Sequence, residues 1–285
     1  MRISLVLGSG GARGYAHIGV IEELENAGLE IVSVCGSSMG ALVGGLYAAG
    51  ALEDYKKWVL DLDPLDVASL LDISFEGGGL IKGEKVFRRL EEMMGRRRIE
   101  ELEVRYTAVA TDIAHSKEVW FQEGDLLTAI RASIAIPSVF TPVEYKGMVL
   151  VDGGVLNPLP VAPVMSDHTD IIIAVNVYGD VPKPQIEEGK EERGRMERIK
   201  EALRSKVGEY LQREYSMLEI AKRSFDVMQN TLVRYRLAGY PPDHLIEISK
   251  DVCDTFDFHK APEVIEAGRI AAREALGRIL GGESA

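Results

Sequence analysis

Apolar runs and helical segments alternate along the first fifty residues. Residues 3–7 and 31–35 are short and largely apolar, as strands buried on both faces are. Residues 14–28 and 39–50 follow them and are predicted as helices. Because parallel strands need a crossover connection, this strand–helix–strand–helix order predicts a parallel sheet covered by helices.

Further strands are predicted at 106–111, 118–121, 148–151, 171–177 and 245–248. The segment "IIIAVNV" at 171–177 is apolar on successive residues, which is typical of a central strand. A last helix is predicted at 261–280. The pattern therefore predicts an α/β fold with a mostly parallel central sheet flanked by helices and a helical C-terminal region.

The composition changes at Pro182, where the charged stretch "PKPQIEEGKEERGR" begins. After it, apolar residues recur three or four positions apart, a spacing that predicts an amphipathic helical stripe. Its members are Met196, Ile199, Leu203, Val207, Leu211, Tyr215, Leu218, Phe225, Met228 and Leu232. We expect the stripe to pack on the sheet; a lid or a membrane-contact surface is the alternative. The predicted domains are a core at 1–181, a linker with helices at 182–240, and a C-terminal strand and helix at 241–285 that complete the core.

Residues 31–52 carry no charge and are long enough to span a bilayer. The stretch changes halfway from a β-branched, strand-like run to a helical one, and its five glycines would make a poor lipid-facing surface. A membrane span is therefore the less favoured interpretation. The apolar stretch at 3–7 is too short for a signal peptide, and we expect a cytoplasmic protein.

The formal net charge of −12 repels polyanions and argues against a nucleic-acid partner. Cys35 and Cys253 lie far apart and give no metal-ligand or disulfide pattern, so both are predicted to be buried thiols. The acidic clusters near residues 61–66 and 167–170 do not match a calcium-binding loop, and no metal site is predicted.

The turn "GSSMG" at 36–40 lies between a predicted strand and a predicted helix. It fits G-x-S-x-G in the context of a nucleophile elbow, and the spacing selects Ser38 over Ser37. The competing interpretation of Ser38 is a helix N-cap without chemistry.

A second glycine-rich turn, "GSGGARG" at 8–14, ends the first strand. The first two strand–helix turns of a parallel sheet can be neighbours, so the N–H groups of Gly10, Gly11 and Ala12 could face a substrate oxygen near Ser38. A dinucleotide site is the rival, although Arg13 occupies the third glycine position of G-x-G-x-x-G.

A general base is needed beside the serine. Asp152 in "VLVDGG" follows a predicted strand and precedes two glycines, which leaves room for a substrate. An ordinary carboxylate is a weak base and would need a desolvated pocket. The α/β-hydrolase order would alternatively pair Asp152 with His168, His244 or His259.

Four blocks in this order resemble the patatin-like phospholipases, especially their short bacterial and archaeal members: 10–14 (GGARG), 36–40 (GSSMG), 131–143 (RASIAIPSVFTPV) and 152–154 (DGG). The resemblance implies a three-layer sandwich and a catalytic dyad of Ser38 and Asp152 without histidine. It implies oxyanion N–H groups from Gly10, Gly11, Ala12 and Met39. It also implies a pocket supported by Arg13, Gly14, Ser133 and Pro137.

The activity implied is hydrolysis of acyl esters, from phospholipids to small artificial esters, with no cofactor. The partners expected are an acyl-ester or phospholipid substrate and a membrane surface contacted peripherally. A Ser-His-Asp esterase, a nucleotide-binding protein and a non-catalytic module stay open as alternatives. The oligomeric state is not indicated.

Overall fold

The computed structural model describes residues 1–70, 83–137, 139–186 and 217–281. Within these ranges the strands are β1 (Arg2–Leu7), β2 (Glu30–Ser37), β3 (Arg105–Asp112), β4 (Lys117–Phe121), β5 (Val143–Tyr145), β6 (Met148–Asp152), β7 (Ile171–Gly179) and β8 (His244–Ser249). The helices are α1 (Ala16–Asn26), α2 (Met39–Ala48), α3 (Leu52–Leu60), α4 (Pro64–Leu70), α5 (Glu84–Met94), α6 (Leu126–Ser133), α7 (Met217–Gly239) and α8 (Ala261–Gly281).

All eight strands form one sheet, paired in the order β5-β6-β3-β2-β1-β7-β8, with β4 also paired to β3. The pairs from β3 through β2, β1 and β7 to β8 are parallel. Strands β4 and β6 run antiparallel to β3, and β5 runs antiparallel to β6. The prediction of a mostly parallel α/β sheet is confirmed.

Helices cover both faces of the sheet. A Cβ on Gly44 of α2 would lie 2.6 Å from Cγ1 of Val34, so α2 packs on the face that Val34 presents. The next residue, Cys35, points to the opposite face because strand side chains alternate. There it joins a buried cluster that includes Val109 and, from α7, Val233. The result is a three-layer arrangement, with the sheet as its central layer.

The C-terminal helix packs backbone to backbone on α1. A Cβ on Gly19 would lie 2.1 Å from the Ile265 carbonyl oxygen, and one on Gly268 would lie 2.0 Å from that of Ala16. Glycine at both positions is what allows the two helices to approach so closely.

The uncharged stretch at 31–52 is divided by the turn at Ser37 and Ser38, with most of β2 before it and α2 after it. Among the described residues no helix is long and apolar enough to cross a membrane. Cys35 and Cys253 are both buried, as predicted.

The chain divides into two compact units. The larger comprises Met1–Pro184 and Gln229–Ala285, and the smaller comprises Gln185–Met228. The predicted stripe residues from Met196 to Tyr215 lie outside the described part of the chain. In the portion of α7 that belongs to the larger unit, Gln229 and Val233 are buried, whereas the predicted Leu232 is only partly so. A search for apolar periodicity cannot find this face, because one of its two buried residues is a glutamine.

Candidate active site

The ends of two strands bring Ser38 and Asp152 together. Ala108 and Val109 of β3 pair with β2 on one side and with β4 on the other. Ala110–Asp112 also pair with β4, and their other partner is β6. Strands β2 and β6 therefore meet end to end along one edge of β3. Because they run in opposite directions, their carboxyl ends face each other, and these ends carry Ser38 and Asp152.

The turn at Ser38 is a strained strand-to-helix elbow. Ser38 has φ 54° and ψ −125°, a conformation that a residue with a side chain rarely adopts. A Cβ on Gly36 would lie 2.3 Å from the Gly40 carbonyl carbon, and one on Gly40 would lie 2.1 Å from the Leu7 carbonyl oxygen. Ser38 stands at the N-cap of α2 but makes no side-chain capping bond, so its hydroxyl is not used for capping.

The Ser38 hydroxyl instead donates to Asp152. Ser38 Oγ lies 2.5 Å from Asp152 Oδ2, and Asp152 Oδ1 accepts a hydrogen bond from the Gly154 N–H at 2.7 Å. Both side chains are buried. Burial raises the pKa of Asp152 to about 7, although the hydrogen bonds from Ser38 and Gly154 act in the opposite direction. A carboxyl group with this pKa can accept a proton near neutral pH.

The elbow is supported by Ser133, which ends α6. The Ser38 N–H donates to Ser133 Oγ at 3.0 Å, and the Ser133 hydroxyl donates to the Val109 carbonyl oxygen at 2.6 Å. Ser133 is fully buried and thus connects the elbow to β3. Pro137 follows in the same segment, is partly buried, and neighbours Ile136 at the wall of the cavity described below.

The backbone N–H groups predicted as oxyanion donors differ in whether they are already bonded. Those of Gly10, Gly11 and Met39 have no acceptor among the described residues. The Ala12 N–H, predicted as a further oxyanion donor, instead donates to the Thr255 carbonyl oxygen at 2.9 Å. Since a bonded N–H is not free to stabilise a substrate oxygen, Ala12 is left out of the candidate oxyanion hole.

Arg13 and Gly14 shape the glycine-rich loop through contacts within the protein. Arg13 is buried; its Nε donates to the Lys250 carbonyl oxygen at 2.9 Å and its Nη1 to Thr255 Oγ1 at 3.1 Å. Arg13 is not among the described residues that line the cavity. A Cβ on Gly14 would lie 2.2 Å from Met39 Cγ, so glycine here lets the loop pack on the elbow.

An apolar cavity opens beside Ser38. Gly11, Ser38 and Met39 line it on the side of the two turns. The other described wall residues are mostly apolar side chains from helices α2 to α5 and from the loops near them, among them Leu42, Trp58, Val67, Val86, Ile136 and Phe258. Such a cavity is suited to a hydrocarbon chain, since it offers area for burial and few hydrogen-bonding groups.

The histidines are placed elsewhere. His17 is fully buried on α1 with its Nε2 at 2.8 Å from the Gly8 carbonyl oxygen, and burial lowers its pKa to about 4. His115 bonds Asp112 at the end of β3, and His168 sits in a turn with φ 53°. In the described part of the chain no histidine bonds Ser38 or Asp152, whose carboxylate is occupied by Ser38 and Gly154. The triad alternative therefore has no geometric support.

One polar group near the site carried no signal in the sequence. Gln229 of α7 is buried and bonds both Ser9, in the glycine-rich loop, and Tyr178, at the end of β7. A single glutamine within a charged helical segment matches no motif, and its partners are 220 and 51 residues away. Only the folded chain brings the three together.

The fold and the site define an α/β protein with a serine and a buried aspartate at the carboxyl edge of its sheet. The sequence model of the patatin-like phospholipase family matches residues 5–165. The chain belongs to the patatin-like phospholipase family, and membership implies hydrolase activity.

Relatives extend the similarity beyond the matched segment. An uncharacterized NTE family protein of Mycobacterium tuberculosis is 39% identical, with 96% of this chain and 91% of the relative covered. Another NTE family protein of that species is 29% identical over 96% of this chain and 46% of the relative. Lysophospholipase NTE1 of Yarrowia lipolytica is 35% identical, with 61% of this chain but 12% of the relative covered.

Proposed function

We propose that this protein is a carboxylic-ester hydrolase that cleaves fatty acyl esters of lipids with Ser38 as nucleophile and Asp152 as general base. The observation that carries the proposal is the hydrogen bond from Ser38 Oγ to Asp152 Oδ2 in a buried site. The strained elbow supports it, because it holds the hydroxyl at a strand end beside an apolar cavity.

In the proposed reaction, Asp152 takes the Ser38 proton while Ser38 Oγ attacks the ester carbonyl carbon. The carbonyl oxygen becomes an oxyanion, which the N–H groups of Gly10, Gly11 and Met39 stabilise. Protonated Asp152 then gives its proton to the leaving alcohol, and an acyl-serine is left. A water molecule, deprotonated by Asp152, attacks the acyl-serine, and the fatty acid departs as Ser38 recovers its proton.

The cavity supports an acyl chain as the recognised part of the substrate. Its described walls are mainly apolar, and each buried methylene group contributes about 0.8 kcal/mol to binding. The lysophospholipase name of the Yarrowia relative supports a lipid ester. We expect the protein to act in the cytoplasm at a lipid surface. Long-chain esters are found in such surfaces.

The test begins with a fluorophosphonate probe on the purified protein, followed by mass spectrometry of the labelled peptide. Labelling is expected on Ser38, and Ser38→Ala is expected to abolish both labelling and hydrolysis of p-nitrophenyl esters. Asp152→Asn should lower kcat by about 10² to 10⁴ because the general base is lost. Ester hydrolysis that survives at wild-type rate in Ser38→Ala contradicts the proposal.

Ser37→Ala is the matched control. The Ser37 hydroxyl is buried and has no hydrogen-bond partner among the described residues, so its removal should leave turnover close to wild type. The pH profile of the wild type adds a second measurement. Since Asp152 must be ionised to act as base and its pKa is about 7, kcat/KM should fall about tenfold per pH unit below 7.

A further inference from the structure

Gln229 is a buried amide that no part of the proposed chemistry uses. Its exposed fraction is 2%, and it lies on the second half of α7. Its Oε1 accepts a hydrogen bond from the Tyr178 hydroxyl at 2.6 Å, and its Nε2 donates to Ser9 Oγ at 3.1 Å. Burying an amide is costly unless it is bonded, and both ends of this amide are bonded.

The two partners belong to elements that shape the glycine-rich loop. Ser9 directly precedes Gly10 and Gly11, whose N–H groups are the candidate oxyanion donors. The Tyr178 ring lies under the Arg13 guanidinium, with the Arg13 Cζ 5.2 Å from the ring centroid. The Gln229 amide thus holds the start of the loop directly and is connected to Arg13, further along it, through Tyr178.

The same amide also packs against the turn that carries the base. A Cβ on Gly154 would lie 2.1 Å from Gln229 Nε2 and 2.6 Å from Ser9 Oγ. The Gly154 N–H holds Asp152 Oδ1 at 2.7 Å. Glycine at 154 leaves the space in which the Gln229 amide and the Ser9 hydroxyl meet, so the amide lies where the base turn and the loop adjoin.

We propose that Gln229 is a positioning residue, which fixes the glycine-rich loop relative to the Asp152–Gly154 turn and so places the oxyanion N–H groups against the carbonyl that Ser38 attacks. The proposal rests on the function proposed above. It assigns to α7 a part in catalysis that does not require contact with the substrate.

The expected kinetic effect follows from this geometry. A displacement of about 1 Å in an active site can cost about 100-fold in rate. Gln229, Ser9 and Tyr178 are not among the described residues that line the cavity, so acyl-chain binding should not depend on them. Loss of the amide should therefore lower kcat and leave KM nearly unchanged.

The principal test replaces the amide by a side chain of similar length that forms no such hydrogen bonds. In Gln229→Met, kcat for p-nitrophenyl butyrate is expected to fall about 10- to 100-fold, with KM within about twofold of wild type. Val233→Ala is the matched control, since Val233 lies one helical turn further along α7 in the buried cluster. The control should lower Tm by several degrees with kcat within twofold of wild type.

Two smaller changes keep the test decisive if Gln229→Met does not fold. Ser9→Ala removes the hydroxyl that Nε2 bonds, and Tyr178→Phe removes the donor to Oε1. Each should lower kcat about 3- to 10-fold, because each removes one of the two side chains that bond the amide. Where Gln229→Met folds, adding Ser9→Ala should lower kcat no further, because both substitutions remove the same bond.

The outcomes separate this proposal from the proposed function. A wild-type protein that neither hydrolyses the ester nor reacts with the fluorophosphonate overturns the function itself. An active wild type with Gln229→Met matching Val233→Ala in kcat overturns the positioning role alone. Full kcat in both Ser9→Ala and Tyr178→Phe overturns it as well. A rise in KM at constant kcat would also overturn it, since that result assigns Gln229 to substrate binding.

Discussion

The two glycine-rich turns of the site differ in what holds them in place. The elbow at 36–40 and the loop at 8–14 follow neighbouring parallel strands, β2 and β1, and both carry glycines where the backbone makes close approaches. The elbow is shaped mainly by contacts within itself and with the strands beside it. The loop is held by residues from α1, β7, α7 and the segment after β8.

In the elbow, Gly36 lies against Gly40, and Gly40 lies against Leu7 at the end of β1. These contacts are between backbone atoms of the motif and of the neighbouring strand, and the Ser38 N–H also donates to Ser133 at the end of α6. In the loop, Ala12 is bonded to Thr255, Ser9 to Gln229, and Arg13 to Lys250 and Thr255. A local motif is therefore sufficient to identify the proposed nucleophile, whereas the proposed oxyanion side of the site depends on the completed fold.

The largest effect is expected for Gly40→Ala. Its Cβ would lie 2.1 Å from the Leu7 carbonyl oxygen, and neither backbone can move without disturbing the sheet. We expect a loss of about 4 kcal/mol or more in the free energy of unfolding, measured by urea denaturation. Gly277→Ala is the control, because a Cβ there meets nothing within 4 Å and alanine favours the helix. A folded Gly40→Ala variant of wild-type stability would contradict the inferred difference between the two turns.

Gly11→Ala tests the other turn and should cost less stability. Gly11 has φ 57°, and its Cβ would lie 2.3 Å from the Thr255 carbonyl oxygen. Because Thr255 follows the last strand and lies in a loop, we expect it to move, at a cost of about 2 kcal/mol. The loop would move with it, and kcat should fall about 100-fold. Stability measurements and p-nitrophenyl ester kinetics separate the two effects. Equal stability losses in Gly11→Ala and Gly40→Ala would contradict the distinction.

His17 gives a pH-dependent measure of how the loop is held. Its folded pKa of about 4 lies below the ordinary value of 6.5 because it is buried. The unfolded chain therefore binds a proton that native His17 does not, and stability is lost as pH falls from 6.5 through 4. Between pH 6.5 and 5 the loss should be about 2 kcal/mol.

His17→Gln removes this titration while keeping a donor for the Gly8 carbonyl oxygen, which His17 Nε2 approaches at 2.8 Å. The free energy of unfolding, measured by urea denaturation at several pH values, should therefore fall less steeply with decreasing pH in the variant than in the wild type. An equal loss of unfolding free energy with falling pH in both proteins would contradict the idea that neutral His17 holds the loop.

The sequence was sufficient to predict the parallel core and to single out Ser38 and Asp152 as candidate site residues. The apolar strands and the two glycine turns predict β1, β2 and the helices after them, and "VLVDGG" places Asp152 at a strand end. The bond between Ser38 and Asp152 requires β6 to run antiparallel along the edge of β3, and no local pattern specifies that pairing. The hydrogen bond from Ala12 to Thr255 and the hydrogen bonds of Gln229 join distant segments of the chain. They could not be predicted from the sequence.

The buried face of helix α7 is a second feature that the sequence pattern did not predict. Hydrophobic periodicity places Leu232 on the buried face, but the buried residues of α7 within the larger unit are Gln229 and Val233. A polar residue buried beside a functional site is a feature that hydrophobic periodicity misses.

The end-to-end meeting of β2 and β6 has a consequence for how the chain acquires activity. Ser38 and Asp152 are 114 residues apart in sequence, and the hydrogen bond between them forms only when β6 docks beside β3. Contacts of such long sequence separation form late and slowly in folding. A chain that has built its elbow but not yet its antiparallel edge would hold a serine without a base. Under the proposed mechanism such a chain could not carry out ester hydrolysis, and activity would appear only once the sheet is complete.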